Sequence, residues 1–347
     1  MIKPAGPPII LSINEPSMVG ESRRTATSLA GRLGFDETGR GRVALVATEA
    51  ATNLHKHAGG GEILLQGLED GAVGGVEILA LDRGPGMADV ARCLGDGYST
   101  AGSSGTGLGA MQRLVPDFDI HSGPGIGSVV LARLWADTDG GRREAPALQY
   151  GAVSVPLAGE EVCGDSWAIE HVAGRSLVMV VDGLGHGPQA ADAAREAVRV
   201  FGLAAATVGP ADYIREAHAA LRSTRGAALA VAQIDHERGE VRYAGVGNIA
   251  GAVLDANHEV RTTHMVSHNG TVGHTIRKVQ EFSYAWSPGS LLVMHSDGLV
   301  THWQLDHRAG LRVKHPGVAA GSLYRDFKRG RDDVTIVVAR GVEAGRR

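Results

Sequence analysis

Four β-like runs in the second half of this 347-residue chain carry an aspartate at one end. Asp165 stands in E-V-C-G-D-S-W, Asp182 in V-V-D-G-L-G-H-G, Asp297 in V-M-H-S-D-G-L, and Asp332 beside Asp333 in G-R-D-D-V-T. A lone aspartate beside glycine is most simply a turn residue. Four of them at strand termini point to a shared cleft, where their charges repel unless hard cations neutralise them. Ligands that are all oxygen suit Mg²⁺ or Mn²⁺ rather than Zn²⁺. Two such ions ~3.5–4 Å apart activate a water and clamp a phosphoryl group. No histidine–cysteine cluster competes: the 15 histidines are scattered and no C-x-x-C occurs. His186, inside G-L-G-H-G-P, reads as a helix-entry residue.

The first half carries a different constellation. Glu49 and Asn53 lie four apart in T-E-A-A-T-N-L-H-K-H-A, on one face of a helix, with Lys56 and His57 following. D-R-G-P-G-M (82–87) ends a strand, and S-T-A-G-S-S-G-T-G-L-G-A-M (99–111) is glycine-rich. Gly105, Gly107 and Gly109 free backbone N–H groups to face phosphate, with a helix start behind them. The loop lacks the G-K-[ST] of a P-loop and does not directly follow a strand, so it fits neither common phosphate-loop template. Taken singly, Glu49 and Asn53 form an ordinary polar helix face.

The elements that position these residues follow from periodicity. The first half predicts a strand at 9–13, helices at 20–34 and 36–58, strands at 62–66 and 76–82, a helix near 106–115 and strands near 117–121 and 127–135. Helices on one face of a sheet make it α+β. The second half predicts strands at 152–157, 167–172, 176–182, 227–235, 241–246, 249–254, 291–297 and 334–339, with helices at 188–203 and 211–223. That pattern suggests two packed sheets with helices outside. The polar segment 136–149, A-D-T-D-G-G-R-R-E-A-P-A-L-Q, reads as a linker between domains at 1–135 and 150–341.

Composition narrows the function classes. With 34 basic and 38 acidic residues the net charge is −4, so no global field favours nucleic acid or an anionic membrane. Cys93 and Cys163 make no disulfide framework, and neither is assigned a role. The start of the chain is no signal peptide and no run reaches membrane-span length, so a cytoplasmic protein is expected. The 50 glycines concentrate in short loops, as expected where backbone approaches phosphate or metal.

The order G-D, D-G-x-G-H-G, R-G-A-A-x-A-V-A, S-D-G and D-D-x-T over about 150–340 resembles the metal-dependent PP2C phosphatases, most closely the SpoIIE and RsbX branch. The resemblance implies a β-sandwich flanked by helices, with two Mn²⁺ or Mg²⁺ ions at one end. Asp182 would bridge both ions and be central to catalysis, and Gly183 would ligate through its carbonyl. Asp165 would serve one ion and Asp297 and Asp332 the other, with Asp333 a competing ligand. The arginine that eukaryotic members place ahead of the first motif to hold phosphate is not evident.

Residues 10–135 resemble the GHKL ATPases, closest to RsbT- and RsbW-type serine kinases, which implies a GHKL α/β sandwich. In that family pattern Asn53 would hold Mg²⁺, Asp82 the adenine amino group, and Gly84 and Gly86 the base pocket. Gly105, Thr106, Gly107 and Gly109 would cradle the phosphates of ATP, with Lys56 a phosphate contact. Glu49 would be the base that orients an attacking hydroxyl.

Together these resemblances imply a phosphatase for phosphoserine or phosphothreonine on a regulatory protein, such as an anti-sigma antagonist of the STAS type. The ATP-binding half would be a kinase, a sensor or a docking module. The alternative is a nucleotide-dependent, anti-sigma-type binding switch without phosphatase activity. Two further stretches read as surface: the loop 266–274, and the basic run Arg325, Lys328, Arg329 and Arg331 as a solvated helix face.

Overall fold

The computed structural model describes residues 1–95, 107–137, 148–256 and 262–342. They fall into two compact units, an N-terminal one of Pro4–Arg142 with Ala309–Lys314, and a C-terminal one of Met1–Lys3, Arg143–Arg308 and His315–Arg347. The division differs from the expected 1–135 and 150–341 at both ends. The first strand, β1 (Ile2–Pro4), pairs through Ile2 with Ile169. Ala309–Lys314 sits with the N-terminal unit, where Lys314 Nζ meets Asp119 Oδ1 at 3.1 Å. Of the expected linker 136–149, residues 138–147 lie outside the described residues, and Leu148 and Gln149 are already paired in a strand with Gly341 and Arg340.

The N-terminal unit is an α/β sandwich. Its elements are β2 (Ile9–Ile13), α1 (Ser17–Arg32), α2 (Glu37–Asn53), β3 (Gly61–Asp70), β4 (Val73–Leu81), α3 (Val90–Leu94), α4 (Gly107–Leu114), β5 (Asp117–Gly123) and β6 (Gly127–Trp135). The sheet is antiparallel in the order β2–β3–β4–β6–β5. Alternate residues Ile63 and Leu65, Val76, Ile78 and Ala80, and Val130, Ala132 and Leu134 face the helices, the period-2 pattern of a pleated strand. Against them α2 buries Val43, Val46, Ala47, Ala50 and Ala51, the 3–4 spacing of one helix face. Asp36 caps α2 by accepting from Gly39 N at 2.6 Å. The helix expected at 36–58 changes character after Asn53, where Leu54–Ala58 widens into a π-turn that stops at Gly59. Such turns recur where a helix is adapted to a site.

The C-terminal unit comprises β7 (Leu148–Val155), β8 (Asp165–Val172), β9 (Arg175–Gly183), α5 (Pro188–Ala204), α6 (Pro210–Ala220), β10 (Ala227–Asp235), β11 (Glu240–Val246) and β12 (Ala250–Leu254). After these come β13 (Thr262–His264), β14 (Gly270–Thr271), β15 (Thr275–Ile276), β16 (Phe282–Ala285), β17 (Leu291–His295), α7 (Pro316–Phe327) and β18 (Val334–Gly341). One sheet runs β16–β11–β10–β9–β8–β1, the other β13–β12–β17–β18–β7. Leu177, Met179 and Val181 face α5 and α6. The alternate residues lie between the sheets, where Trp167 of β8 packs on Tyr150 of β7 with ring centroids 5.9 Å apart. Asp165 and Asp182 share that inner parity and stand opposite one another in the β8–β9 pairing.

Helix α7 was not expected from the sequence. P-G-V-A-A-G-S-L-Y-R-D-F shows no polar stripe because the helix is buried on nearly every side. It closes to within van der Waals contact of β7, since a Cβ on Gly151 would fall 2.0 Å from Gly317 N. The expectation of a solvated basic face fails at Arg325: it is 6 % exposed, and its guanidinium donates to both carboxylate oxygens of Asp326. The loop 266–274 is partly a hairpin, with β14 paired to β15 and Val272 bridged to Ala227 at the start of β10.

Candidate functional site

At one end of the C-terminal sandwich, strand ends deliver the acidic residues to a common place. Asp165 opens β8 and is buried, and Asp182 lies one residue from the end of β9. Asp297 follows β17 in the S-D-G turn, and Asp332 and Asp333 precede β18. Ser296 Oγ donates to Asp165 Oδ2 at 2.6 Å, and Thr335 N donates to the same hydroxyl at 2.9 Å. Asn248 Nδ2 donates to Asp297 Oδ2 at 2.7 Å. The two adjacent aspartates differ sharply. Both oxygens of Asp333 are taken by backbone amides, Leu157 N on Oδ1 at 2.7 Å and Gly164 N on Oδ2 at 2.8 Å, whereas among the described residues Asp332 Oδ1 accepts only from the amide of Asp333.

The electrostatics carry the mark of crowded charge. Burial, then Asp297, Asp332 and Asp333, push the Asp182 carboxyl up to about 8. Burial and the Asp182 charge push Asp165 well above the carboxylate range, against the Ser296 hydrogen bond that lowers it. Burial raises Asp333 as well. Burial likewise raises the nearby Cys163 thiol, which keeps it protonated. The donor set is oxygen only and uncompensated, which fits a hard divalent cation. Among the described residues no three acidic, histidine or cysteine side chains are gathered so as to hold a metal ion by themselves; Mg²⁺ keeps several waters and takes one or two carboxylates. Gly183, next to Asp182, packs so tightly on α5 that a Cβ would fall 2.1 Å from Ala190 O.

The loop after Asp182 turns through Gly185 and Gly187 into α5, and His186 Nδ1 lies 2.6 Å from Glu160 Oε1. Behind Asp297, burial keeps His295 neutral, so its Nδ1–H donates to Ser296 O at 2.7 Å while Nε2 accepts from Trp303 Nε1 at 2.8 Å.

The N-terminal unit holds a cavity of about 570 Å³ lined by Glu49, Asn53, Lys56, Asp82, Gly86 and Gly107, among others. Glu49 and Asn53 are offset by one residue from the buried stripe of α2, which turns them to the cavity rather than the sheet. Gly107 opens α4 against them, since a Cβ there would meet Glu49 Oε2 at 2.6 Å. Asp82 is buried one residue past β4, its Oδ1 accepting from Gly84 N at 2.8 Å and Ser128 N at 3.1 Å. Gly84 lies against Ala58 and Gly109 is buried within α4, so neither lines the cavity. Gly86 has φ +71°, and a Cβ on it would overlap Gly123 O. Gly105 and Thr106 lie outside the described residues. Sequence reasoning missed Ser122 and Ser128. Ser122 Oγ accepts from Met87 N at 2.9 Å and meets Ser128 Oγ at 2.9 Å, tying the 82–87 loop to β5 and β6. Cys93 also lines the cavity, and burial raises its thiol.

Residues 173–341 match the family of stage II sporulation protein E (SpoIIE), and residues 14–134 match the histidine kinase-like ATPase domain. The chain belongs to the histidine kinase-like ATPase family through its N-terminal domain, and residues 173–341 are its SpoIIE-type PP2C domain. The ATPase domain is 33% identical over 114 residues to the serine/threonine-protein kinase RsbT of Bacillus subtilis (strain 168), a third of this chain and 86% of RsbT. The PP2C domain is 24% identical over 141 residues to the phosphoserine phosphatase RsbX of the same organism, 41% of this chain and 69% of RsbX. Among solved structures, a chain described with the bacterial stressosome, a modular system adapted to control secondary messenger signaling, has a TM-score of 0.51 at 28% identity. It is covered in full by 56% of this chain. RsbX in complex with magnesium has a TM-score of 0.50 at 21% identity, with 57% of this chain and 97% of RsbX covered. The PP2C-like sandwich and the ATPase-like sandwich are the folds expected from the two motif sets. Among the described residues no helix is long and apolar enough to cross a membrane.

Proposed function

We propose that the PP2C domain is a Mg²⁺- or Mn²⁺-dependent phosphatase for phosphoserine or phosphothreonine on a small regulatory protein of the STAS type. The observation that carries this reading is the crowding of carboxylates around Asp165 and Asp182, whose ionised forms are opposed by burial and by the neighbouring charges, Asp182 acting on Asp165 and Asp297, Asp332 and Asp333 acting on Asp182. Asp182, Gly183 through its carbonyl, and Asp165, Asp297 and Asp332 would hold two divalent ions. Asp333 holds the backbone of Leu157 and Gly164 instead. Bound there, divalent ions lower the pKa of water and neutralise phosphoryl oxygens. The chain's own part is orientation: Ser296 fixes Asp165 and Asn248 fixes Asp297.

The test is manganese-dependent phosphate release from p-nitrophenyl phosphate and a phosphoserine peptide. Asp182→Asn is expected to lose more than the roughly 10–100-fold that supporting residues cost. Wild-type rates in Asp182→Asn would sink the reading. A chain that releases phosphate from no substrate is instead the binding switch.

In the ATPase domain, Asn53 with Mg²⁺, Asp82, Gly86, Lys56 and Gly107 would receive ATP, and Gly84 and Gly109 would shape the pocket from behind. Gly105 and Thr106, outside the described residues, remain part of the expected phosphate loop. The likeness to RsbT and the seat of Glu49 on the cavity favour serine kinase activity, with Glu49 orienting the hydroxyl. Asp82→Asn is expected to lose ATP affinity, and equal binding would remove the pocket assignment. Phosphate transfer from radiolabelled ATP to candidate STAS proteins separates kinase from sensor. In the cell the pair would set the phosphorylation state of a signalling protein in a stressosome- or Rsb-type pathway, acting in the cytoplasm.

A further inference from the structure

A carboxylate cluster repels the phosphate dianion it is meant to process, and none of the residues assigned to it so far is cationic. Arg225 is placed to supply that charge. It stands just before β10, where Ala227 pairs with Gly183 and Ala228 with Asp182. The loop that follows Asp182 is tied to the same stretch, since Leu184 N donates to Gly226 O at 2.9 Å. A Cβ on Gly185 would lie 3.2 Å from Arg225 Nη1, so the guanidinium rests over the D-G-L-G turn.

The backbone beneath it is held from two sides. His274 Nε2 donates to Arg225 O at 2.9 Å, and Thr224 Oγ1 accepts from Gly226 N at 3.0 Å. The side chain, by contrast, is exposed, and among the described residues its guanidinium has no hydrogen-bond or ion-pair partner. The nearby acid Glu160 is already engaged with His186. A fixed backbone under a free guanidinium at the rim of an acidic cleft suits a group that waits for an anion. Arginine presents two parallel N–H donors that match phosphoryl oxygens.

We propose that Arg225 holds the non-bridging oxygens of the phosphorylated side chain at this centre. The inference rests on the phosphatase reading above. It makes Arg225 a substrate-binding residue, with His274 and Thr224 its positioning residues.

The full chain is assayed with Mn²⁺ as wild type, Arg225→Ala, Arg225→Lys and the exposed control Arg222→Ala. Arg225→Ala is expected to raise the KM for phosphoserine peptide and the inhibition constant of inorganic phosphate roughly tenfold or more. The Mn²⁺ concentration giving half-maximal activity stays unchanged, and so does the circular dichroism spectrum. Arg225→Lys, which keeps charge but loses the fork, falls between, and Arg222→Ala behaves as wild type. An unchanged phosphate inhibition constant in Arg225→Ala overturns this proposal and leaves the phosphatase reading standing. A wild type that neither hydrolyses the peptide nor binds phosphate with Mn²⁺ overturns both.

Discussion

Ser296 shows how a buried carboxylate can depend on a neutral neighbour. Its hydroxyl donates to Asp165 and accepts from Thr335 N, so Ser296→Ala removes one support and orphans one buried amide. We expect a stability loss of about 1–3 kcal/mol in urea denaturation. The Mn²⁺ concentration for half-maximal activity should rise by roughly 10–100-fold. Normal Mn²⁺ dependence in this variant would remove Ser296 from the site. The aspartates themselves were legible in the sequence because each stood at an apolar run beside a turn residue. Ser296 and Asn248 were not, since a hydroxyl or an amide in a turn carries no pattern of its own. Asp332 and Asp333 were inseparable on sequence because only the fold brings the amides of Leu157 and Gly164 to one of them.

At the scale of elements, the glycines do the positioning. Gly183 lets β9 touch α5 at Ala190, an approach that alanine-rich α5 accepts on its own side. Gly183→Ala must push that helix away. The expected cost is about 1–3 kcal/mol for overpacking, with loss of manganese-dependent turnover. A variant of wild-type stability and activity would show that the contact is slack. Gly86 combines positive φ with a Cβ position inside Gly123 O, so Gly86→Ala should abolish ATP binding in calorimetry. Most helices and strands were visible from periodicity, whereas α7 was hidden because a helix buried all round presents no stripe. The short strands β13 to β16 were hidden because two to four residues are too few to alternate.

Across the whole molecule, the acidic cleft makes stability depend on pH in an unusual direction. Asp165, Asp182 and Asp333 have folded values raised above the unfolded one, so their contribution is present below about pH 4 and lost as pH rises through the folded values. Buried neutral His295 has the opposite sign, gaining as pH rises through its unfolded value near 6.5. The carboxylate effect therefore stands clear between pH 6.5 and 8. In chelator the melting temperature is expected to fall across that window, and Mn²⁺ at pH 8 to restore it. Asp182→Asn should flatten the fall, and a flat profile in wild type would mean that the cleft is not charge-loaded.

Asp165 and Asp182 face each other because β8 and β9 are paired in one register. A slip of a single residue between those strands would turn one carboxylate inward and the other out. The ion would then lose its seat. A divalent ion held as proposed would therefore favour, during folding, the one alignment of the hairpin in which both acids meet.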